Sequence, residues 1–414
     1  MYQITHVCVR VTMAYNVSWT DQISYLEGLH RSGWAYVMQY LMQLDTTSET
    51  AVLLDANVDR TFHWLKPDYI PYVKPWVGFI HHTFNTDFSD NNSVRLFENP
   101  NFLESLDHCK GLYVFSQYMS ILLRGHLDAR GYTSVKVQAL VHPTELTGFP
   151  SWSKENFDAN TNKMLVQVGA WLRDNYAIYR YNGPKSITLT DRPSVVLDKA
   201  TLMGAKMEHY FKPTNFFQLF RDPKWKACDD TSISSSVSLT LDVVDSVTIN
   251  GEYMVPDVPS DDTCADMCRD IMCRDSNVYL NKYVLGAIEF LKKIDTAVTI
   301  LPQQDDMDYD LLLSRNIVFL PLIDAAAVNT LIECIARATP VLVTPVPAVL
   351  ELLGPHYPLY LDLSTEENSN LSYANIIAAH TYLRQLDVTQ MLSGTSFLQS
   401  ITSGDIYQAC ANMP

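Results

Sequence analysis

The chain has 414 residues, enough for two domains of ordinary size, and 47% of them are hydrophobic against 18% charged, so large cores can be buried. The formal net charge is −16 with no basic block, which argues against a nucleic-acid backbone or an anionic membrane as the main partner and leaves room for a small anionic ligand held by a few local groups. No apolar run reaches the ~18 residues that span a bilayer, and the opening MYQITHVCVRVTMAY lacks a basic segment followed by a long apolar one, so no secretory signal is expected.

In chain order, Ile4–Met13 reads as a strand and Gly33–Leu44 as a helix, with Val37, Tyr40, Leu41 and Leu44 at i, i+3, i+4 and i+7. Strands are predicted at Thr50–Ala56 and at Trp76–Phe84, the latter running into His81 and His82. A helix at Asn101–Cys109, a strand at Gly111–Gln117, a helix at Tyr118–Gly131 and a strand at Ser134–Pro143 complete a βα rhythm, the pattern of a mainly parallel sheet covered by helices. The polar stretch Thr147–Lys163 reads as a linker. The chain then divides into residues 1–155, residues 156–387, and a C-terminal segment 388–414.

The second part opens with a strand at Met164–Trp171. An insert at about 221–262, rich in Asp, Ser and Pro, carries two alternating segments and an Asn250-Gly251 turn, the signature of an added hairpin. The rhythm resumes with a helix at Asn277–Ile294, a strand at Thr296–Pro302, a short helix at Asp308–Ser314 and a strand at Asn316–Leu322. After the helix and strand of Asn329–Val343 come a helix stopped by Gly354, a strand at Tyr357–Leu363 and a long helix at Asn370–Leu386. Two doubly wound α/β domains in tandem are expected, with ligands beyond the carboxyl ends of the strands, in the cleft where the domains face each other.

The eight cysteines are scattered, and Cys264, Cys268 and Cys273 lack the paired spacing of a zinc site. No metal site is expected. Cys8 and Cys334 sit in apolar patterns as buried thiols do, and a reducing cytosol is the simpler setting.

The stretch NTLIECIARATPVLV carries the main chemical expectation. A helix starting at Asn329 offers free backbone N–H groups and the positive end of its dipole to a phosphate. Asn329 or Thr330 can cap it or donate to a phosphate oxygen. Ala325, Ala326 and Ala327 would let a ligand approach the backbone. Glu333, about one turn inside, can accept two hydrogen bonds from a ribose diol. The same residues also suit an ordinary capped surface helix.

The run Asp324–Gly354, DAAAVNTLIECIARATPVLVTPVPAVLELLG, resembles the donor-binding segment of GT-B glycosyltransferases of the family 4-like kind, with Glu333 and Glu351 at their two glutamate positions. VGAWLRD, Val168–Asp174, is similar to the first strand and loop of that domain. RSGWAYVMQYL resembles the glycine loop and helix that face the acceptor. WVGFIHHTF, LFENPNFLESLDHCKGLYVFS and LVHPTE look like glycosyltransferases encoded by large DNA viruses. The sequence departs from the pattern at Ala325, where retaining members carry a glutamate, and at Ala170, where an arginine is usual. Arg173 is the substitute.

The resemblance implies a GT-B fold of two Rossmann-like domains and a metal-independent, retaining enzyme without a cofactor. It would take a nucleotide sugar, such as a UDP- or GDP-sugar, and pass the sugar to a glycan or protein-linked acceptor. The donor contacts would be Gly169, Arg173, Val328, Asn329, Thr330 and Glu333, and the acceptor side would be Ser32, Gly33 and His82. His82, Arg173 and Glu333 are the expected catalytic residues. Alternation along the strand lets only one of His81 and His82 face the cleft, and His82 is chosen. Lys199 and Lys206 are possible helpers, and His142 is expected to be structural. A cytosolic location follows, that of the host if the chain is viral. The C-terminal segment 388–414 is expected to cross back onto the first domain. A sugar-nucleotide epimerase on the same fold and a degenerate, non-catalytic scaffold are the rival readings.

Overall fold

The computed structural model describes residues 15–17, 31–46, 48, 51–63, 71–86, 88, 92–169, 171–174, 177–180, 185–188, 299–301, 305–361 and 371–413. The expected first strand at Ile4–Met13, Lys199, Lys206, the insert, the cysteine cluster and the helix at Asn277–Ile294 lie outside them.

The first sheet has five parallel strands in sequence order: β1 (Tyr15–Val17), β2 (Val52–Asp55), β3 (Trp76–Phe79), β4 (Cys109–Val114) and β5 (Lys136–Ala139). Successive side chains serve opposite faces. Val77, Phe79 and Tyr113 pack with α1 (Trp34–Leu41) on one side. Trp76, Leu112 and Val114 pack with α2 (Val58–His63), α3 (Pro100–Leu106) and α4 (Gln117–Asp128) on the other. Asn99 caps α3 by accepting from Asn101 N and Phe102 N, with Pro100 in the first turn. That helix ends at Leu106, and Cys109 opens β4, where the sequence pattern had extended the helix.

The stretch 147–163 is not a bare linker. Ser153 caps a short helix, α5 (Lys154–Ala159), and Trp152 and Phe157 enter the second core. Trp152 Nε1 donates to the Asn316 carbonyl at 3.1 Å, and its backbone N–H donates to Arg337 at 2.9 Å. Two aromatic side chains anchor a segment whose polar average suggested none.

The second sheet joins β6 (Leu165–Val168), β7 (Lys185–Thr188), β8 (Thr299–Leu301), β9 (Ile317–Leu320) and β10 (Val341–Val343), all parallel, in the order β10-β9-β6-β7-β8. The chain runs outward from β6 to β8, then restarts beside β6 with β9. The order therefore reverses between β6 and β9, where doubly wound sheets open a crevice for ligands. Helices α6 (Asp306–Arg315), α7 (Asn329–Arg337), α8 (Pro347–Leu353) and α9 (Tyr373–Leu383) supply the rest of this core. Segment Tyr357–Leu361 lies along β10 through Val343 N to Leu359 O and Leu361 N to Val343 O.

After α10 (Val388–Leu392), helices α11 (Gly394–Thr402) and α12 (Asp405–Ala411) place Phe397, Ile401, Ile406, Tyr407 and Cys410 in the first domain's core, beside Tyr15 and α1. No helix among the described residues is long and apolar enough to cross a membrane. The α11 contact is close: a Cβ on Gly394 would stand 1.9 Å from the Tyr40 ring. Gly394→Ala is expected to destabilise the protein by about 1–3 kcal/mol, the usual cost of overpacking, in a urea-unfolding measurement.

Candidate active site

The carboxyl ends of β6 and β9 are zipped together. Arg173 bridges to Leu322, Asp174 N donates to Pro321 O, and Ile323 N donates to Leu172 O, both at 2.8 Å. This fixes Gly169 and Arg173 beside the loop that leads into α7. Gly169 adopts φ +73°, and a side chain there would press on the Arg173 guanidinium, 3.2 Å from its Cζ. Arg173 is partly buried. Its Nη1 donates to Trp171 O at 2.6 Å, and its Nε has no acceptor. Among the described residues it makes no ion pair, and burial pulls its pKa down to about 10, so it stays charged at neutral pH. A shielded cation without an anion is costly, and an anionic ligand would relieve that cost.

The start of α7 differs from the sequence expectation. Val328 is the N-cap and offers no side-chain acceptor, so Asn329 and Thr330 are the first residues inside the helix. The buried Thr330 hydroxyl bonds Tyr309. The alanines before the helix do not open the backbone to a ligand. Ala325 belongs to the second core, while Ala326 and Ala327 pack on the two cores of the first domain. Their small size serves docking of one domain on the other. Asp324 joins that contact, accepting from Ala325 N at 2.8 Å and hydrogen-bonding Thr83, with burial raising its pKa.

Glu333 is fully buried. Its Oε1 accepts from Ser32 N at 3.1 Å and from Ser32 Oγ at 2.7 Å, while Oε2 has no hydrogen-bond partner among the described residues. The structure thus joins the expected donor-side carboxylate directly to the expected acceptor-side serine. Gly33 follows as the N-cap of α1 with φ −71° and ψ 164°, extended backbone that demands no glycine. Around this contact, Asp310 lies between two arginines. Arg31 reaches it with Nε at 3.1 and 3.0 Å and with Nη2 at 2.7 Å, and Arg337 Nη2 donates to its Oδ1. Arg31 also pairs with Glu145 at 2.7 Å. Glu351 crosses between domains too, its carboxylate accepting from the α4 backbone N–H groups of Gln117 and Tyr118, both at 2.6 Å.

β3 ends at Phe79, so His81 and His82 lie in the loop beyond it, and their side chains part there. His81 turns inward, with Nε2 2.9 Å from Ala56 O and its ring edge-on to Trp34. His82 faces Trp171 of the second domain, 5.9 Å between ring centres, and stacks with His63 at 6.2 Å. Asp59 lies beneath, its Oδ2 accepting from His81 N at 2.5 Å and His82 N at 3.3 Å. His142 is buried against Trp34 and Phe115, a packing position.

The structure therefore gathers Gly169, Arg173, Val328, Asn329, Thr330, Glu333, Ser32 and Gly33 around the β6–β9 crevice and the domain contact, with His82 on the facing wall. Sequence reasoning missed Arg31, Asp310 and Arg337, whose partners lie up to 279 positions away in the chain. It also missed Asp59 and His63. Their i, i+4 spacing in NVDRTFH was the available signal.

No protein-family model matches the chain, and no curated protein sequence does. Among solved structures the chain is similar to sucrose-phosphate synthase from Thermosynechococcus elongatus, with 12% identity over 87% of this chain and 71% of that one and a TM-score of 0.40. It is similar to a trehalose-6-phosphate synthase at 10% identity over 91% and 78%, TM-score 0.43. It is also similar to WaaG, a glycosyltransferase involved in lipopolysaccharide biosynthesis, at 10% identity over 91% and 85%, TM-score 0.41.

Two expectations follow. Ser32→Ala removes a hydroxyl donor to a buried carboxylate and should cost about 1.5–3 kcal/mol in chemical denaturation. Burial holds the His142 pKa down at about 4, below its ordinary 6.5. The unfolded chain then binds a proton that the folded chain refuses, so this stability is complete above pH ~6.5 and is lost as pH falls toward ~4. The melting temperature should drop less between pH 7 and pH 5 in His142→Phe than in the parent protein.

Proposed function

We propose that the protein is a GT-B glycosyltransferase that moves a sugar from a nucleotide-sugar donor to an acceptor hydroxyl. The observation that supports this reading best is Arg173, which has no counter-ion among the described residues and lies at the strand-order reversal of a parallel sheet, beside the start of α7. That position suits the diphosphate of a UDP- or GDP-sugar. Arg173 and the α7 backbone at Asn329 and Thr330 would neutralise charge on the leaving diphosphate, the electrostatic contribution that matters most when a glycosidic bond breaks. No metal ion need touch the diphosphate in this arrangement. The transition state would be oxocarbenium-like, and the family resemblance favours retention of configuration.

Glu333 would read the ribose, and to do so it must exchange Ser32 for the sugar hydroxyls, since it is fully buried and its Oε1 is held by Ser32 N and Oγ. Donor binding and loosening of the domain contact are then one event. Gly33 and His82 would line the acceptor side, with His82 positioning a hydroxyl across from Trp171.

Calorimetry with UDP and GDP tests the reading. Micromolar binding of one of them by the parent protein, weakened about 10- to 100-fold in Arg173→Gln, is the expected result for loss of a charged hydrogen-bonding partner. The melting temperature of the variant separates this from unfolding. Absence of binding at millimolar concentration, or equal binding by the variant, overturns it.

A further inference from the structure

The second feature of the cleft is independent of the nucleotide reading. Asp59 and His63 sit one turn apart on α2, and His82 sits just beyond the carboxyl end of β3. Asp59 Oδ1, a nitrogen of His63 and a nitrogen of His82 lie within 4.8 Å of one another, with His82 Nδ1 3.7 Å from Asp59 Oδ1. We propose that these three side chains form a site for a divalent transition-metal ion, zinc first among them, on the first-domain wall of the cleft.

Several features distinguish this cluster from a chance ion pair. Asp59 is fully buried, and its Oδ2 is already saturated by the His81 and His82 backbone N–H groups. That fixes the carboxylate plane, and Oδ1, which has no donor among the described residues, is turned toward the imidazoles. His63 bonds the Asn92 backbone, while its buried Nε2 has no hydrogen-bond partner. A backbone bond at one ring nitrogen with the other left open is how metal-ligating histidines are oriented. The helix is held near the strand because β3 has Gly78 opposite Val58, where a Cβ would lie 2.4 Å from Val58 Cγ2. A bulkier residue there would push Asp59 and His63 away from His82.

Two imidazoles and a carboxylate are a donor set for zinc and its neighbours rather than for calcium or magnesium. Ligand atoms about 2.0–2.2 Å from a tetrahedral ion stand roughly 3.4 Å apart, close to the spacing of the Asp59 and His82 pair. Three protein ligands leave a position for an oxygen from water or from a bound hydroxyl, the arrangement of catalytic rather than structural zinc. With an ion in place His82 would serve as one of its ligands.

The test is direct metal binding by the full chain. The protein is stripped with a chelator, dialysed, and titrated with Zn(II) and, separately, Co(II). The expected outcome is one ion per chain at micromolar concentration or below. The cobalt form should show ligand-field absorption without a thiolate charge-transfer band. His63→Ala and His82→Gln should each weaken binding at least tenfold, with circular dichroism confirming that both variants fold. His82→Gln changes a side chain that is already partly exposed and so keeps the test open if His63→Ala misfolds. No binding, undiminished binding in the folded variants, or a thiolate band that traces the ion to the cysteines each overturns the proposal.

Discussion

The two domains meet at a carboxylate. Glu333 sits on the first helix after the β9 loop, and among the described residues its side-chain hydrogen bonds come from Ser32 of the first domain. Asp310 reinforces the contact by holding Arg31, the residue before Ser32, against Arg337, one turn after Glu333. Arg337 also donates to the Glu333 carbonyl at 3.1 Å. Buried ion pairs of this kind add little net stability over a well-packed apolar alternative, because desolvation offsets most of the attraction. What the cross-domain pair imposes is register, since any other docking takes the Arg31 guanidinium away from Asp310. The placement of the β6–β9 crevice opposite His82 depends on that register.

Much of the fold was legible because it rests on local period. The helix at Trp34–Leu41 buries Trp34, Val37, Met38 and Leu41, a stripe that a 3.6-residue repeat reveals directly. The strands that flank the crevice are short buried runs bounded by turn residues, which is how parallel strands read. Segment 152–157 was illegible for the opposite reason. Its anchorage comes from two residues, Trp152 and Phe157, against a partner about 160 positions later, and no window average registers two residues.

The places of the candidate site residues on helices and loops were legible, and their bonding was not. A glutamate one turn into a helix that follows a buried strand is a sequence pattern. That it bonds Ser32 is a property of two domains folded together, and no spacing rule connects positions 32 and 333. The alanines show the same limit. Small side chains before a helix start fit a ligand and fit a docked domain equally well, and only the packing of Ala326 and Ala327 on the first domain decides between them.

Two unmet demands now sit on opposite walls of one crevice. Among the described residues Arg173 is a cation without a carboxylate partner, and Asp59 Oδ1 is a buried acceptor without a donor. Each costs stability where it stands. Trp171 touches both sides, accepting from Arg173 through its carbonyl and setting its ring against His82. An anion at Arg173 and a cation at Asp59 would each relieve such a cost. Arg173 lies where the strand order of the described second sheet reverses, and Asp59 lies beneath His82 on the facing wall, so the proposed anion and the proposed metal ion would relieve two separate costs in one cleft.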